Sequence, residues 1–195
     1  MMFPRPGSNM LGLLVIGLAL SAAVGCGITP MARHTPGFRQ VVRDHGPVSH
    51  HPLHQAQAQA LLAELQPHVG EGCRLTPRVH VLTSPRLTAF AAAPRDVFVS
   101  EGLLESCSRD EVRAAIAHEL GHLVESETGV VSSLLGEPGM QCPEARADHF
   151  AVALLIDSGH DPAALGSLLS RLIEHPGTNP AVHHHLTTRH GLLHP

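Results

Sequence analysis

The segment AHELGHLVESE, residues 117–127, contains two histidines and a glutamate in the pattern His-Glu-x-x-His. On an α-helix, residues four positions apart lie about 40° apart around the axis, so His118 and His122 can bind one metal ion. Glu119 lies beside them, where its carboxylate can exchange a proton with a water molecule at the metal without being a ligand. The pattern therefore predicts a helix with a catalytic metal site on one face.

The chain is rich in histidine, so the pattern needs support from its surroundings. It has 17 histidines and 11 glutamates among 195 residues. About one random chain in twelve of this composition would contain His-Glu-x-x-His by chance. Upstream, Ser108 and Glu111 form the Ser-x-x-Glu pattern of a capping box, which predicts a helix from residue 108 to about residue 127. The histidines therefore lie within a segment that is predicted to be helical on independent grounds.

A catalytic zinc site needs a third protein ligand and one open coordination position. The next predicted helix carries Glu144 and Asp148, four positions apart and so on one face. We expect Glu144 to be the third ligand and Asp148 to accept a hydrogen bond from a ligating imidazole. Chance would supply Glu-x-x-x-Asp in roughly one chain in ten, and both patterns together in about one in a hundred. The sequence therefore predicts one zinc ion per chain, held by His118, His122 and Glu144.

The rest of the chain predicts a mostly helical α+β domain, with a small antiparallel or mixed β-sheet beside the His-Glu-x-x-His helix. The predicted elements are a helix over 54–69, strands over 77–84, 88–93 and 96–100, a short helix over 102–105, the helix over 108–127, helices over 143–157 and 162–173, and a tail of loop and short helix.

The N-terminal residues indicate a targeting segment. An apolar run over 11–20 is followed by small residues ending at Cys26, so residues 1–25 are expected to be a signal peptide. The sequence before Cys26 resembles a bacterial lipobox, which implies lipidation of that cysteine, and Gly27 after it favours the outer membrane. The alternative is an ordinary cleaved signal peptide that leaves a free cysteine. Residues 27–52, rich in proline, glycine and histidine, predict a flexible tether to a folded domain over 53–195.

Charge and cysteine content limit the other options. The net charge is −4 with 15% charged residues, so no basic surface favours nucleic acid as a partner. In an oxidising compartment, Cys73, Cys107 and Cys142 would give one disulfide and one free thiol. The pair Cys73–Cys107 is favoured because these residues bracket the predicted sheet, although the sequence does not fix the pairing.

Several ordered blocks resemble the gluzincin metallopeptidases of the M48 type. They are Thr-Ala-Phe-Ala at 88–91, Val-Phe-Val-Ser-Glu-Gly-Leu-Leu at 97–104, the two metal-site patterns, and Gly-His-Asp-Pro at 159–162. The resemblance implies a zincin-like (gluzincin) domain and a zinc endopeptidase in which Glu119 is the general base and acid. Two departures lie on the expected substrate edge: Thr88 replaces the usual asparagine, and Ala-Pro-Arg at 93–95 replaces Pro-Gly-Gly.

The chain has no tyrosine, the residue that often stabilises the oxyanion in zincins, so another donor is required. The family often has His-Pro-x-x-x-x-Arg near its C-terminus. His183 and Arg189 keep the His-to-Arg spacing and are the expected catalytic pair, whereas His175 keeps only the His-Pro dipeptide. Solvated tail histidines without a catalytic role are the alternative. A substrate peptide is expected to add as a strand beside residues 97–100.

These observations predict an endopeptidase of the bacterial cell envelope, lipid-anchored in the membrane and facing the periplasm. Its substrates would be unfolded or envelope proteins. One alternative is a catalytically silent, peptidase-like chaperone, which would bind zinc but not cleave casein. A second is a histidine-rich periplasmic metal-binding lipoprotein, which would bind several metal ions per chain and would not depend on Glu144.

Overall fold

A computed structural model of the chain describes residues 37–70, 73–92, 94–128, 142–175 and 180–193. The elements are α1 (Phe38–His45), α2 (Pro52–Leu65) with a 3-10 turn (Gln66–His68), β1 (Arg78–Leu82), β2 (Ala89–Ala92), β3 (Asp96–Ser100), α3 (Glu101–Ser106), α4 (Arg109–Thr128), α5 (Pro143–Asp157), α6 (Ala163–Glu174) and α7 (Pro180–Leu193). The predicted α+β class, mostly helical with a small mixed sheet, is confirmed. None of the described helices combines the length and the apolar character needed to cross a bilayer. The predicted signal peptide and Cys26 lie outside the described residues.

The sheet has the strand order β1-β3-β2, with β1 parallel and β2 antiparallel to β3. Because β3 is paired on both sides, the expectation that a peptide adds beside residues 97–100 is wrong. The outer edge of β1 is covered by residues 47–49, since Ser49 N–H donates to Val81 O (2.7 Å) and Thr83 N–H donates to Pro47 O (2.9 Å). Within the described segments, no strand pairs with the outer side of β2, so the free edge of the sheet lies there.

The capping box predicted at the start of α4 is present. Ser108 N–H donates to Glu111 Oε2 (2.7 Å), and Glu111 N–H donates to Ser108 Oγ (3.2 Å). The same carboxylate accepts a bond from Arg171 Nε of α6 at 3.0 Å. Glu111 therefore fixes the first turn of α4 and also ties α6 to it.

The structure differs from the sequence prediction at the N-terminal and the C-terminal end of the folded part. The predicted flexible tether over 27–52 is folded from residue 37 onward, because α1 packs its buried Val41 against the outer face of the sheet. The predicted tail of loop and short helix is the 14-residue helix α7. Leu186 and Arg189 are buried in α7, and Leu193 packs partly buried against the core. Both helices are stabilised by tertiary packing more than by their own sequence.

The preferred Cys73–Cys107 disulfide is wrong, because Cys73, Cys107 and Cys142 are all free thiols. Cys73 Sγ donates to Glu127 Oε2 at 3.1 Å, near the end of α4. Cys107 lies by the first turn of α4, where burial and the Glu111 charge raise its pKa to about 11. Glu111 and Glu127 are separated by about 24 Å of helix, whereas a disulfide needs Cα atoms within about 7 Å.

Glu111 makes the stability of the fold depend on pH. Burial raises its pKa, but the Ser108 N–H and the Arg171 guanidinium outweigh burial and hold the pKa below the ordinary value of 4.5. A carboxylate with a lowered pKa stabilises the fold above its unfolded-state pKa, and this contribution is lost as the pH falls through its folded-state pKa. We expect Glu111→Gln to destabilise the protein clearly at pH 7, and the difference from wild type to shrink below pH 4.5. Urea denaturation at several pH values measures this. The control is Asp157→Asn, at an exposed carboxylate, and an equal loss in both variants would contradict the assignment.

Candidate metal centre

Helices α4 and α5 bring three ligand atoms to one point. His118 Nε2 and His122 Nε2 are 3.2 Å apart. Glu144 Oε2 lies 3.4 Å from His118 Nε2, and Glu144 Oε1 lies 3.6 Å from His122 Nε2. Atoms that bind a tetrahedral zinc ion at about 2.0–2.1 Å lie about 3.3 Å from one another. The separations of this His-His-Glu group therefore fit a tetrahedral metal site with one position left open.

Asp148 orients the first histidine of this group. Its Oδ1 lies 2.9 Å from His118 Nδ1, and the carboxylate is buried. A hydrogen bond from Nδ1–H to Asp148 leaves the lone pair of Nε2 directed at the other two ligand atoms, as metal binding requires. The sequence placed Asp148 in this role from its spacing to Glu144 alone.

Arg189 lies on the same side of the site as Asp148. Its Nε and Nη2 donate to the two oxygens of Asp148 at 2.8 and 2.5 Å, and its Nη1 donates to Glu144 Oε2 at 3.3 Å. The side chain is only 3% exposed. A bidentate arginine fixes the orientation of a carboxylate as well as balancing its charge. Arg189 therefore positions the carboxylates of the site.

The structure separates the two residues that were predicted to form a catalytic pair. His183 is exposed on α7, and six helical positions rotate it about 120° away from Arg189. Within the described residues, His183 makes no hydrogen bond or ion pair with the ligand group. His175, the alternative, ends α6 as its C-cap residue. The described site thus receives Arg189 from the tail, whereas His183 is exposed to solvent.

The pKa values show how strongly these buried groups interact. Burial and the Arg189 charge lower the pKa of His118, but its hydrogen bonds to Asp148 and Glu144 outweigh them and raise it to about 9. Burial and the His118 charge lower the pKa of His122 to about 4. Burial raises the pKa of Glu144, yet His118 and the neighbouring cations hold it at about 2. The carboxylates therefore favour positive charge at the point where the ligand atoms meet, and a divalent cation would supply it.

Glu119 is almost fully buried beside the ligands, at 3% exposure. Burial is the largest cause that raises its pKa, to about 7, and the nearby backbone of Ala91 in β2 is the smallest of the influences that lower it. Sequence reasoning did not find this contact, because it depends on β2 lying against α4. The free edge strand therefore lies beside the carboxylate that neighbours the metal ligands.

Gly121 allows α4 and α5 to approach closely between the ligands. A Cβ atom at this position would lie 3.1 Å from Ala147 Cα and 3.2 Å from Phe150 Cδ1. These distances are shorter than an ordinary contact between carbon atoms, about 3.5–4.0 Å. The glycine within His-Glu-Leu-Gly-His therefore lets Glu144 of α5 reach the histidines of α4.

Part of the chain is similar to a known family of peptidases. Residues 52–138 match the family model described as Peptidase family M48. The protein named Protease HtpX from Xylella fastidiosa (strain M12) is 31% identical over 138 residues, which cover 66% of this chain and 44% of the relative. Proteins of the same name from Serratia proteamaculans (strain 568) and Aeromonas hydrophila subsp. hydrophila are 39% and 42% identical over 64 residues, covering 31% of this chain and 22% of each relative. The chain thus spans less than half the length of these curated relatives.

The role of Asp148 predicts a loss of metal affinity without loss of a ligand. We expect Asp148→Asn to weaken zinc binding about 10- to 100-fold, because His118 and Arg189 lose the carboxylate that orients them. Titration with zinc against a competing chelator measures the affinity. The control is His149→Gln, an exposed neighbour on the same helix. Equal affinity in the two variants would refute the role assigned to Asp148.

The close approach at Gly121 predicts a second effect. We expect Gly121→Ala to push α4 and α5 apart, to weaken zinc binding, and to lower the free energy of unfolding by about 1–3 kcal/mol. Gly191→Ala on α7 is the matched control, because no atom lies within 4 Å of the added Cβ. It should retain stability or gain up to about 1 kcal/mol from helix propensity. Equal behaviour of the two glycine variants in chemical denaturation and zinc titration would contradict the close approach of α4 and α5 at Gly121.

Proposed function

The chain belongs to peptidase family M48, and we propose that it is a zinc-dependent endopeptidase. The observation that carries the proposal is the convergence of three ligand atoms at tetrahedral separations beside a buried carboxylate. A site that only stored metal would need the ligands but would have no use for Glu119.

Zinc is the ion that this donor set fits best. Two imidazoles and one carboxylate form a common catalytic zinc set, and His118, His122 and Glu144 would hold the ion. When bound, zinc would supply Lewis acidity, which favours ionisation of water and polarises a peptide carbonyl. Asp148 and Arg189 keep the ligands oriented throughout.

Glu119 would move the proton. It is adjacent in sequence to one ligand and buried beside both histidines, and its pKa of about 7 lies near the pH of use. A carboxylate with such a pKa can accept a proton from the attacking water and return it to the leaving amine. Glu119 lies beside Ala91 of β2, the strand along which the substrate backbone would lie.

The substrate would bind as an added strand on the free edge of β2. Thr88 O accepts from Ser100 N–H, so Thr88 and every second residue after it turn their peptide groups toward β3. The N–H and C=O groups of Ala89 and Ala91 therefore point to the free edge. An extended peptide can satisfy them by main-chain hydrogen bonds.

Main-chain pairing reads the substrate backbone more than its side chains, which suits unfolded or misfolded proteins. The N-terminal pattern that ends at Cys26 supports a place in the bacterial cell envelope, with a lipid anchor in the membrane and the domain facing the periplasm. We therefore propose unfolded and envelope proteins as substrates.

The test is the removal of the proton-transfer group without removal of a ligand. We expect Glu119→Gln to retain one zinc per chain and to cleave unfolded casein about 10²- to 10⁴-fold more slowly than wild type. Zinc content by elemental analysis and casein cleavage by gel measure the two properties. The control is Glu174→Gln, an exposed glutamate at the end of α6, which should cleave at the wild-type rate. Equal cleavage by the Glu119 and Glu174 variants would refute the proposed function.

A further inference from the structure

We propose that residues 37–49 form an intramolecular brace that holds β2 in position for substrate, with Val41 and His45 as positioning residues. The inference rests on the proposed function, because it takes β2 as the strand that pairs with the substrate. The part of the chain that matches the family model begins only at residue 52, so the brace lies outside that match.

The outer face of the sheet needs a cover. Leu82, Phe90, Ala92 and Phe98 point away from α4 and form a small apolar cluster with Val41 of α1. Val41 is 1% exposed and Phe98 is fully buried. Without α1, these side chains would form an exposed apolar patch on a three-stranded sheet, which is unfavourable in water.

The brace contacts all three strands. At β1 it makes main-chain bonds, with Ser49 N–H to Val81 O at 2.7 Å and Thr83 N–H to Pro47 O at 2.9 Å. At β3 the ring of Phe38 lies 5.1 Å from that of Phe98. At β2 the ring of His45 lies 4.1 Å from that of Phe90. The segment thus connects the closed edge of the sheet to its free edge.

The contact at Phe90 is the one that affects the site. Phe90 lies between Ala89 and Ala91, whose peptide groups face the free edge beside Glu119. Among the described strands, only β3 pairs with β2, so its outer-face packing limits how far it can tilt. His45 and Val41 supply that packing. If it were lost, the edge would meet the substrate backbone in poorer register.

The test compares His45→Ala with Arg39→Ala, an exposed residue of the same helix, in the full-length zinc-loaded protein. For His45→Ala we expect KM for an unfolded-protein substrate to rise about tenfold, with kcat and zinc content near those of wild type, because ground-state and transition-state binding weaken together. Hydrogen exchange should also become faster at residues 89–92 and remain unchanged in α4. Arg39→Ala should match wild type in every respect.

Two results would overturn the brace. One is unchanged KM and unchanged exchange in β2 for His45→Ala and for a second variant, Val41→Ser. The other is faster exchange with unchanged KM, which would reduce the segment to a purely structural cover. Failure of the wild type to cleave would instead refute the proposed function. Exchange at residues 89–92 would then still decide whether the segment holds β2.

Discussion

The carboxylate of Asp148 is the group on which the rest of the site depends. It accepts hydrogen bonds from His118 of α4 and from Arg189 of α7, and it is itself carried by α5. One buried carboxylate therefore joins three helices. Burial raises its pKa, but the bonds from His118 and Arg189 outweigh burial and hold the pKa well below its ordinary range. An unpaired buried charge is very costly. The burial of Asp148, His118 and Arg189 therefore depends on all three side chains being present together.

The same arrangement extends from the ligands to the substrate edge. Gly121 sets the approach of α5 to α4, Ala91 of β2 lies beside Glu119 of α4, and the His45–Phe90 contact links β2 to the N-terminal segment. The two edges of the sheet differ. The edge at β1 is covered by residues 47–49 and by the side chain of Gln55, whose Nε2 donates to Val79 O at 2.8 Å. A covered edge cannot accept another strand. Under the proposed function, an added peptide would therefore pair with β2, beside Glu119.

The parts of the site that the sequence could predict are those set by local spacing. Two ligands four positions apart on α4, and Glu144 with Asp148 four apart on α5, follow from helix geometry alone, as does the capping box of Ser108. Strand order could not be assigned from the local pattern of residues 96–100, because strand pairing is non-local. A signal was nevertheless present: Val-Phe-Val is a continuous apolar run, typical of a central strand buried on both faces.

The other differences have similar causes. The apolar stripe of α1 is only Phe38, Val41 and Val42, too short to stand out in a segment rich in proline and histidine. Arg189 follows Leu186 by three positions and precedes Leu193 by four, so it lies on an apolar helix face, where an arginine indicates a buried partner. The disulfide preference was wrong because closeness to the sheet in sequence does not measure distance in space. Cys73 lies near the end of α4, and Cys107 lies by its first turn.

A crystal structure of the zinc-loaded protein, with anomalous scattering measured on both sides of the zinc absorption edge, tests the central claim most directly. We expect one anomalous peak per chain, within about 2.0–2.2 Å of His118 Nε2, His122 Nε2 and a Glu144 oxygen, with Asp148 hydrogen-bonded to His118 and outside coordinating distance. A peak on the histidines of α7, or an ion bound to the two α4 histidines with Glu144 turned away, would contradict it.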